Sequence, residues 1–561
     1  KWFPQAGIDP QARVLAGEEA QLLREETLDA LALELYAGSD ELATGFHALV
    51  DDYGGGSDFM VRQTLLSLHD FINSLPDPDA WLDRTLAAND LSDERCVLTR
   101  LDEQQWQRLA AELDAQIEYG EAAAETIRVC WPVAAGLHAS GIDEHVLQLR
   151  AWREALGRKP AGWRAVAADI CAFEFERAAS RPRDLSDEDK AAYECAKALR
   201  DETKDLFRSR LQDACCRFTA DEYREGLERI APYVRTLVAL VRRFDERYRQ
   251  AKAEQAVLDF NDLQRYALRL LTDENDPTKP SEVARQLQAQ YEHVLVDEFQ
   301  DIDPLQETIL RMVSRETADP PQGNLFTVGD IKQSIYRFRL AEPELFQRRA
   351  EAFDAGQGGQ SIPLSENFRS RSGIIDAVNA IFRSLMSRDF GGTDYTGAAE
   401  LKAGAKYPPH APGRFDRPAV ELHLLEPVTQ QTARNGNDSE EEESESAADE
   451  LDGIEREAFI IGRRIQEWLG ANPERRRFEV ADKPKVPGSD PTTRPLAYRD
   501  IVILLRAMQH KAEPIADVLR RMGIPVRIEG QDVGFETTEF RDISSLLALL
   551  DNAQQDLPLA A

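Results

Sequence analysis

The stretch from His293 to Asp303 reads His-Val-Leu-Val-Asp-Glu-Phe-Gln-Asp-Ile-Asp and limits the possible folds more than any other part of the chain. Val294, Leu295 and Val296 predict a short buried strand, with two adjacent carboxylates, Asp297 and Glu298, at its C-terminal end. In open α/β sheets, ligands bind outside the carboxyl ends of the strands, so acids placed there are placed to act. An Asp at such an end can hold a Mg²⁺ that bridges nucleotide phosphates, usually through water, because Mg²⁺ dehydrates reluctantly. A Glu beside it can orient or deprotonate an attacking water. Taken alone, the pair also reads as a solvated strand end.

Its neighbours add to the pattern. A second strand, Asn324 to Val328, runs into Gly329-Asp330-Ile331-Lys332-Gln333-Ser334-Ile335-Tyr336-Arg337-Phe338-Arg339. A third strand around Ser361–Leu364 precedes Ser365-Glu366-Asn367-Phe368-Arg369-Ser370. In this order the segments resemble motifs II, III and IV of superfamily 1 DNA helicases of the UvrD and Rep subgroup. Those proteins usually have Trp and then Arg-Gly-Ala at the end of the third motif. Here the chain has Tyr336-Arg337-Phe338-Arg339-Leu340-Ala341-Glu342-Pro343, which is similar to the AddA subunits of bacterial AddAB helicase–nucleases. Asp259-Phe260-Asn261-Asp262-Leu263, Ser74-Leu75-Pro76-Asp77-Pro78 and the tail Asp556-Leu557-Pro558-Leu559-Ala560-Ala561 are similar to AddA as well. The likeness covers nearly the whole chain, is most specific over residues 290–375, and is looser in the first half.

The resemblance implies a role for each matching residue. Asp297 would hold Mg²⁺, Glu298 would activate water, and Gln333 would sense the γ-phosphate of ATP and couple it to the DNA side. Phe368 would stack on adenine. Arg369 would reach the γ-phosphate, where its planar fork binds two oxygens and keeps its charge. An arginine of this kind, carried by a second α/β domain, completes a site only on closure. Tyr336, Phe338 and Arg339 would face DNA, since an aromatic face stacks on any base and suits a motor that ignores sequence. Phe338 in place of Trp keeps a stacking face and loses an N–H donor. Core packing under the sheet is the competing reading, strongest for Ile335.

At 561 residues the chain is too long for one core. Residues 1–258 read as a mostly helical insertion domain. Leu237, Leu240, Val241, Phe244, Tyr248 and Ala251 recur at helical spacing, with Arg242, Arg243, Arg247, Arg249 and Lys252 between them. Those bases form either a solvated outer face or a duplex-contacting one. Trp81, Trp106, Trp131, Trp152 and Trp163 are expected in helical cores, and 50–57 and 180–188 read as loops. From Asp259 short strands alternate with helices, the mark of a parallel sheet. Residues 259–365 are assigned to a first RecA-like ATPase core. There Asp303-Pro304-Leu305-Gln306 supplies a helix cap ahead of a stripe of Leu305, Ile309 and Met312. Residues 366–561 are assigned to a second RecA-like domain, with helices around Ile374–Phe382, Glu455–Leu469 and Ile515–Met522 and strands at Val420–Leu425, Ile501–Leu505 and Pro525–Ile528. The tract Asp438–Asp452 is dense in like charge, so 430–453 is expected to be a disordered acidic insert. The fold class expected is thus α/β, RecA-like P-loop NTPase helicase domains with parallel sheets plus a large helical insertion.

A net charge of −33 argues against a protein that simply coats DNA, although a local groove can still be basic. No apolar run approaches 18 residues, so no transmembrane helix is readable. Six cysteines without a Cys-x-x-Cys pair read as thiols of a reducing cytoplasm. No Gly-x-x-x-x-Gly-Lys-[Ser/Thr] loop, the backbone nest and lysine that cradle phosphates, occurs in these residues. The chain therefore reads as an internal fragment of a longer protein, inactive by itself, or as a degenerate non-catalytic paralogue. The resemblance implies an ATP- and Mg²⁺-dependent helicase subunit that processes double-strand breaks for recombinational repair. Single-stranded and duplex-end DNA and an AddB-like partner would be what it binds, and a nuclease (exonuclease) domain would follow in the parent chain. A UvrD-type repair helicase without nuclease and a helicase-shaped scaffold are the alternatives.

Overall fold

The computed structural model describes residues 7–8, 11–90, 94–175, 186–318, 320–388, 392–405, 407, 420–425, 441–470, 477–482, 492–508, 510–529, 543–547 and 550. The tail 556–561 lies outside them. The chain divides into two compact units, Lys1–Gln360 and Ser361–Ala561.

The first unit begins with helices. Gly17–Ala37, Glu41–Asp52, Phe59–Asn73 and Pro78–Ala88 surround the later half of Ala220–Glu254, where Leu31, Phe46, Leu65 and Leu82 share a core with Leu240, Val241 and Phe244. The apolar stripe predicted from Leu237 to Ala251 is therefore the seam of this bundle. Its interleaved arginines stay partly exposed and are paired with acids, and Arg249, the most exposed, pairs with Asp245 of its own helix. Arg242 meets Asp83 at 2.6 Å, Arg247 meets Glu34 at 2.6 Å, and Arg243 meets Glu34 at 3.3 Å. Lys252 is buried between Asp259 and Asp262 at 2.9 and 2.7 Å.

A second group of helices, Glu94–Cys130, Pro132–Leu156, Trp163–Ala172 and Asp187–Leu206, continues into a wide π-type turn, Phe207–Cys215. Trp152, Trp163 and Phe207 fill its core, with Trp106 packed at the edge, and Trp131 edges an adjoining one. Trp81 packs on Phe71 in the first bundle, ring centres 5.0 Å apart. The five tryptophans thus lie in or against helical cores, as expected. Of the loop expected at 50–57, residues 50–52 instead end the helix Glu41–Asp52, and 53–57 form the glycine turn, with Gly55 and Gly56 at positive φ. Of 180–188, residues 180–185 lie outside the described set, and Ser186 caps a helix that starts at Asp187.

The parallel sheets are smaller than the sequence predicts. Strand β1 (Arg13–Val14) pairs with β2 (Val257–Leu258), and β3 (Val294–Val296) pairs with β4 (Leu325–Thr327), both parallel. The expectation that β3 is buried is corrected. Leu295 is 73% exposed and stands directly across from exposed Phe326, while Val294 and Val296 are half-buried. Successive side chains of a strand point to opposite faces, and among the described residues no layer covers the face bearing this pair.

In the second unit, β5 (Glu366–Asn367) pairs with β6 (Lys402–Ala403) in parallel, and β7 (Glu479–Asp482) with β8 (Thr492–Pro495) antiparallel. Helices Ser372–Leu385, Glu441–Trp468 and Ala512–Arg521 match the three predicted there, the last followed by Gly523 at positive φ. Ile454, Ala458, Ile465, Ile515 and Leu519 make its core. The strands expected at 361–364, 420–425, 501–505 and 525–528 are not formed. Alternation survives at 501–505, where Ile501, Ile503 and Leu505 pack on that core and Val502 and Leu504 face outward. A strand also needs a neighbour to complete its ladder, and these segments have none among the described residues. Of the acidic insert, 430–440 lie outside the described residues; from Glu441 the chain is helix rather than disordered. Glutamate has good helix propensity, and acids near a helix N-terminus favour its dipole.

Candidate active site

The β3–β4 pairing brings the acidic pair and the Gly329–Gln333 segment to one end of one small sheet. The ladder continues past both strands, with Val328 N–H donating to Val296 O and Phe299 N–H to Val328 O, each at 2.9 Å. Phe299 is fully buried, packs on Phe346 (5.8 Å) and lies under Arg349 (5.4 Å), which fixes the turn that follows the acids. Beyond it Asp303 accepts from Gln306 N–H at 2.7 Å and Gln306 returns the bond at 3.3 Å, so the predicted cap of helix Pro304–Val313 is present. Leu305 N–H also donates to Ser74 O at 2.9 Å, and Arg265 donates to Ile72 O at 2.8 Å. The segment Ser74–Pro78 is thereby tied to the turn that carries the motif.

Asp297 and Glu298 are both exposed, and neither enters an ion pair among the described residues. Glu298 holds a left-handed backbone conformation, φ 52°, which costs a residue with a Cβ roughly 1–2 kcal/mol. Its side chain accepts from Gln300 Nε2 at 2.7 Å. Gln333 is exposed and donates through Nε2 to Asp330 at 3.1 Å; Lys332 pairs with the same carboxylate at 2.7 Å. Burial pushes the Asp330 carboxyl up, but hydrogen bonds from Lys332 and Gln333 outweigh it and leave the group below its ordinary range.

Tyr336, Phe338 and Arg339 form a single cluster. The two rings lie 5.8 Å apart, and the Arg339 guanidinium stands 4.9 Å over Tyr336 and 5.5 Å over Phe338. Leu340, at φ 66°, ends the turn. Phe338 is 76% exposed, so it is not packed under the sheet, and exposed Ile335 is not either.

Phe368 and Arg369 belong to the second unit. Asn367 follows Glu366 in β5, and its side-chain oxygen accepts from the backbone N–H of Arg369 at 2.9 Å and of Ser370 at 2.8 Å. Tyr407 donates to Arg369 O. The Arg369 side chain is exposed and unpaired among the described residues. The Phe368 ring is exposed too, beside Gly404, where a Cβ would lie 2.7 Å from it.

Two residues at this site carry no assignment from the sequence, Gln300 and Asp330. Gln300 is 1% exposed, and its Oε1 accepts from Asp330 N–H at 2.9 Å. Its place two residues after Glu298 is the one signal the sequence offers.

The fit to a nucleotide-bound Mg²⁺ can be judged from the donor set. Among the described residues no group of three His, Cys, Asp or Glu could hold a metal. Asp297 offers hard carboxylate oxygens to solvent at the strand end, which suits an ion that keeps waters and binds through one or two carboxylates plus phosphates.

Residues 163–354 match the family described as UvrD/REP helicase N-terminal domain. That span is thus similar to a UvrD/REP-type helicase domain, and both motif-bearing strand ends fall inside it. More particularly, the chain is homologous along its length to proteins named as the A subunit of an ATP-dependent helicase/nuclease. It is 36% identical to the one from Pelotomaculum thermopropionicum over 100% of this chain and 44% of that protein. The Moorella thermoacetica protein is 34% identical over 100% and 41%, and that of Acetivibrio thermocellus 34% over 99% and 44%. The chain thus spans under half the length of these curated relatives.

Proposed function

We propose that this chain is the part of an ATP-dependent DNA helicase subunit that activates water and transmits the state of the nucleotide to DNA. The observation that carries the reading is the joining of Glu298 and Gln333 at the same end of the β3–β4 pair. In the roles we assign, Asp297 holds Mg²⁺, which when bound offsets charge on the phosphates. Glu298 orients and deprotonates the attacking water, and Gln333 contacts the γ-phosphate. Phe368 stacks on adenine, and Arg369 supplies a second phosphate contact. Tyr336, Phe338 and Arg339 stack on single-stranded DNA.

We further assign 1–258 to a helical insertion, 259–365 to the first motor core and 366–561 to the second. Within the whole protein the chain would act with an AddB-like partner and a nuclease domain on duplex ends, in the cytoplasm, for recombinational repair. The names of the relatives support the helicase–nuclease reading over a UvrD-type helicase alone. The intact set Asp297, Glu298, Gln333 and Arg369 supports catalysis over a scaffold role. Among the described residues no helix is long and apolar enough to cross a membrane.

The test is Glu298→Gln in the whole parent protein. ATP binding should persist while turnover falls roughly 10²-fold or more, as expected when a positioned base is lost. Near-normal ATPase activity in that variant would sink the reading.

A further inference from the structure

We propose that Gln300 and Asp330 are positioning residues that tie Glu298 to Gln333 through one continuous line of hydrogen bonds. The inference rests on the hydrolysis reading above and extends it to how two distant motifs act together.

The line is made of three bonds. Gln300 Nε2 donates to Glu298 Oε2 at 2.7 Å, Asp330 N–H donates to Gln300 Oε1 at 2.9 Å, and Gln333 Nε2 donates to Asp330 Oδ2 at 3.1 Å. The amide of Gln300 is buried, so both of its ends must find partners in the protein. One end meets a backbone N–H and has to be the oxygen. The other is then the NH₂, which suits a carboxylate. Glutamate of the same shape would turn an oxygen toward Glu298 and could not make the same link.

Gly329 makes the approach possible. A Cβ there would lie 2.5 Å from Gln300 Oε1 and 3.3 Å from the backbone nitrogens of Phe299 and Gln300. The far end is held as firmly, since Asp330 Oδ1 accepts from Lys332 N–H at 3.1 Å and Nζ at 2.7 Å. Asp330 thus turns a movement of Gln333 into a movement of its own strand end. Gln300 passes that to a Glu whose left-handed backbone, φ 52°, has few other conformations to adopt. Contact with a γ-phosphate at Gln333 would in this way set the carboxylate that faces water. Hydrolysis and phosphate sensing become one event.

The charged groups around Glu298 are Asp297 and Asp301 on its own turn and Asp330 with Lys332 on the facing strand end. Gln300 Nε2 also lies 3.3 Å from Asp301 Oδ2. Burial and the nearby Glu298 push the Asp301 carboxyl up.

The experiment measures DNA-stimulated ATPase of the whole parent protein at one pH. Gln300→Glu should lower kcat about 10–100-fold, the usual effect of losing a partner that orients a reacting group. KM for ATP should stay unchanged. A folded Gln300→Glu protein with an unchanged kcat overturns the inference. Asp330→Ala, at a half-buried position, carries a second test in a cycle with Glu298→Asp. Non-additive effects on kcat support the line and additive ones overturn it. If Glu298→Gln itself keeps its turnover, the hydrolysis reading fails. If Glu298→Gln is inactive while Gln300→Glu keeps its kcat and the cycle is additive, only the coupling fails.

Discussion

Between Leu109 and Cys216 the chain puts its large side chains inside: Leu113, Trp163 and Phe207 are at most 1% exposed and contribute to one continuous core. Between Leu295 and Phe338 several large side chains do the reverse, while Phe299, Leu305 and Met312 stay buried. Leu295, Phe326, Ile335 and Phe338 all stand in the open, and a glutamate sits in a strained backbone conformation just ahead of buried Phe299 and Gln300. Both regions belong to one compact unit, so the difference reflects what each is for. Aromatic side chains enclosed by helices supply stability. Aromatic and acidic side chains on the turns after short strands are held at the surface, where ligands can reach them, and stability there comes from the hydrogen-bonded turns beneath.

The comparison breaks most visibly at single truncations. In a polypeptide of these 561 residues, Phe207→Ala should cost about 3–5 kcal/mol in urea unfolding, the usual cost of emptying a buried aromatic site. Leu295→Ala should stay within about 0.5 kcal/mol, as at exposed positions generally. Equal losses at the two positions would mean that Leu295 is covered in solution and that the contrast is false.

Acid should separate the regions next. His145 lies in the helical core against Phe175 (4.9 Å), Phe207 (5.1 Å) and Phe173 (6.1 Å), and neither ring nitrogen has a hydrogen-bond partner. Burial, with the Lys204 charge as a smaller cause, lowers its pKa from 6.5 to about 4. The unfolded chain therefore takes up the proton first. The stability from keeping this ring neutral is complete above about pH 6.5 and is lost as pH falls from there toward about 4, a total of order 3 kcal/mol. Urea midpoints taken at pH 7 and pH 5 should fall less in His145→Phe than in the parent. Parallel falls would place the acid sensitivity elsewhere.

What can be read from the sequence follows the same division. The seam Leu240–Tyr248, the tryptophan cores and the cap at Asp303 are local patterns, in which spacing along the chain decides the contact. The acidic pair and Gln333 are legible because strand ends and their turns are short and ordered in sequence. Leu295 departs from expectation because burial of a strand depends on layers that no local pattern reveals. Gln300 stays hidden for a related reason. Its meaning lies in the Asp330 N–H, which is near only after β3 and β4 pair. The bases on Ala220–Glu254 resemble a free face because their acidic partners, Glu34 and Asp83, come from far earlier in the chain.

The smallest expected effect concerns the open aromatic cluster itself. Phe338→Ala should weaken binding of single-stranded DNA to the full chain by roughly 1–3 kcal/mol, the usual worth of one stacked base. Nothing in the fold depends on that ring, which is 76% exposed and touches Tyr336 and the Arg339 guanidinium. The thermal unfolding midpoint should therefore barely move. Arg339 spans both rings, so removing one leaves it over Tyr336 at 4.9 Å, and part of the binding should remain. That residual binding should still weaken with salt, because phosphate contacts release counterions whichever base is stacked. Fluorescence anisotropy on an oligothymidine at two salt concentrations separates the terms. A stacking loss lowers affinity equally at both, whereas loss of a phosphate contact changes the slope. An unchanged affinity at both salts would show that the exposed rings at this turn face something other than DNA, and the contrast between the two regions would then need a different partner.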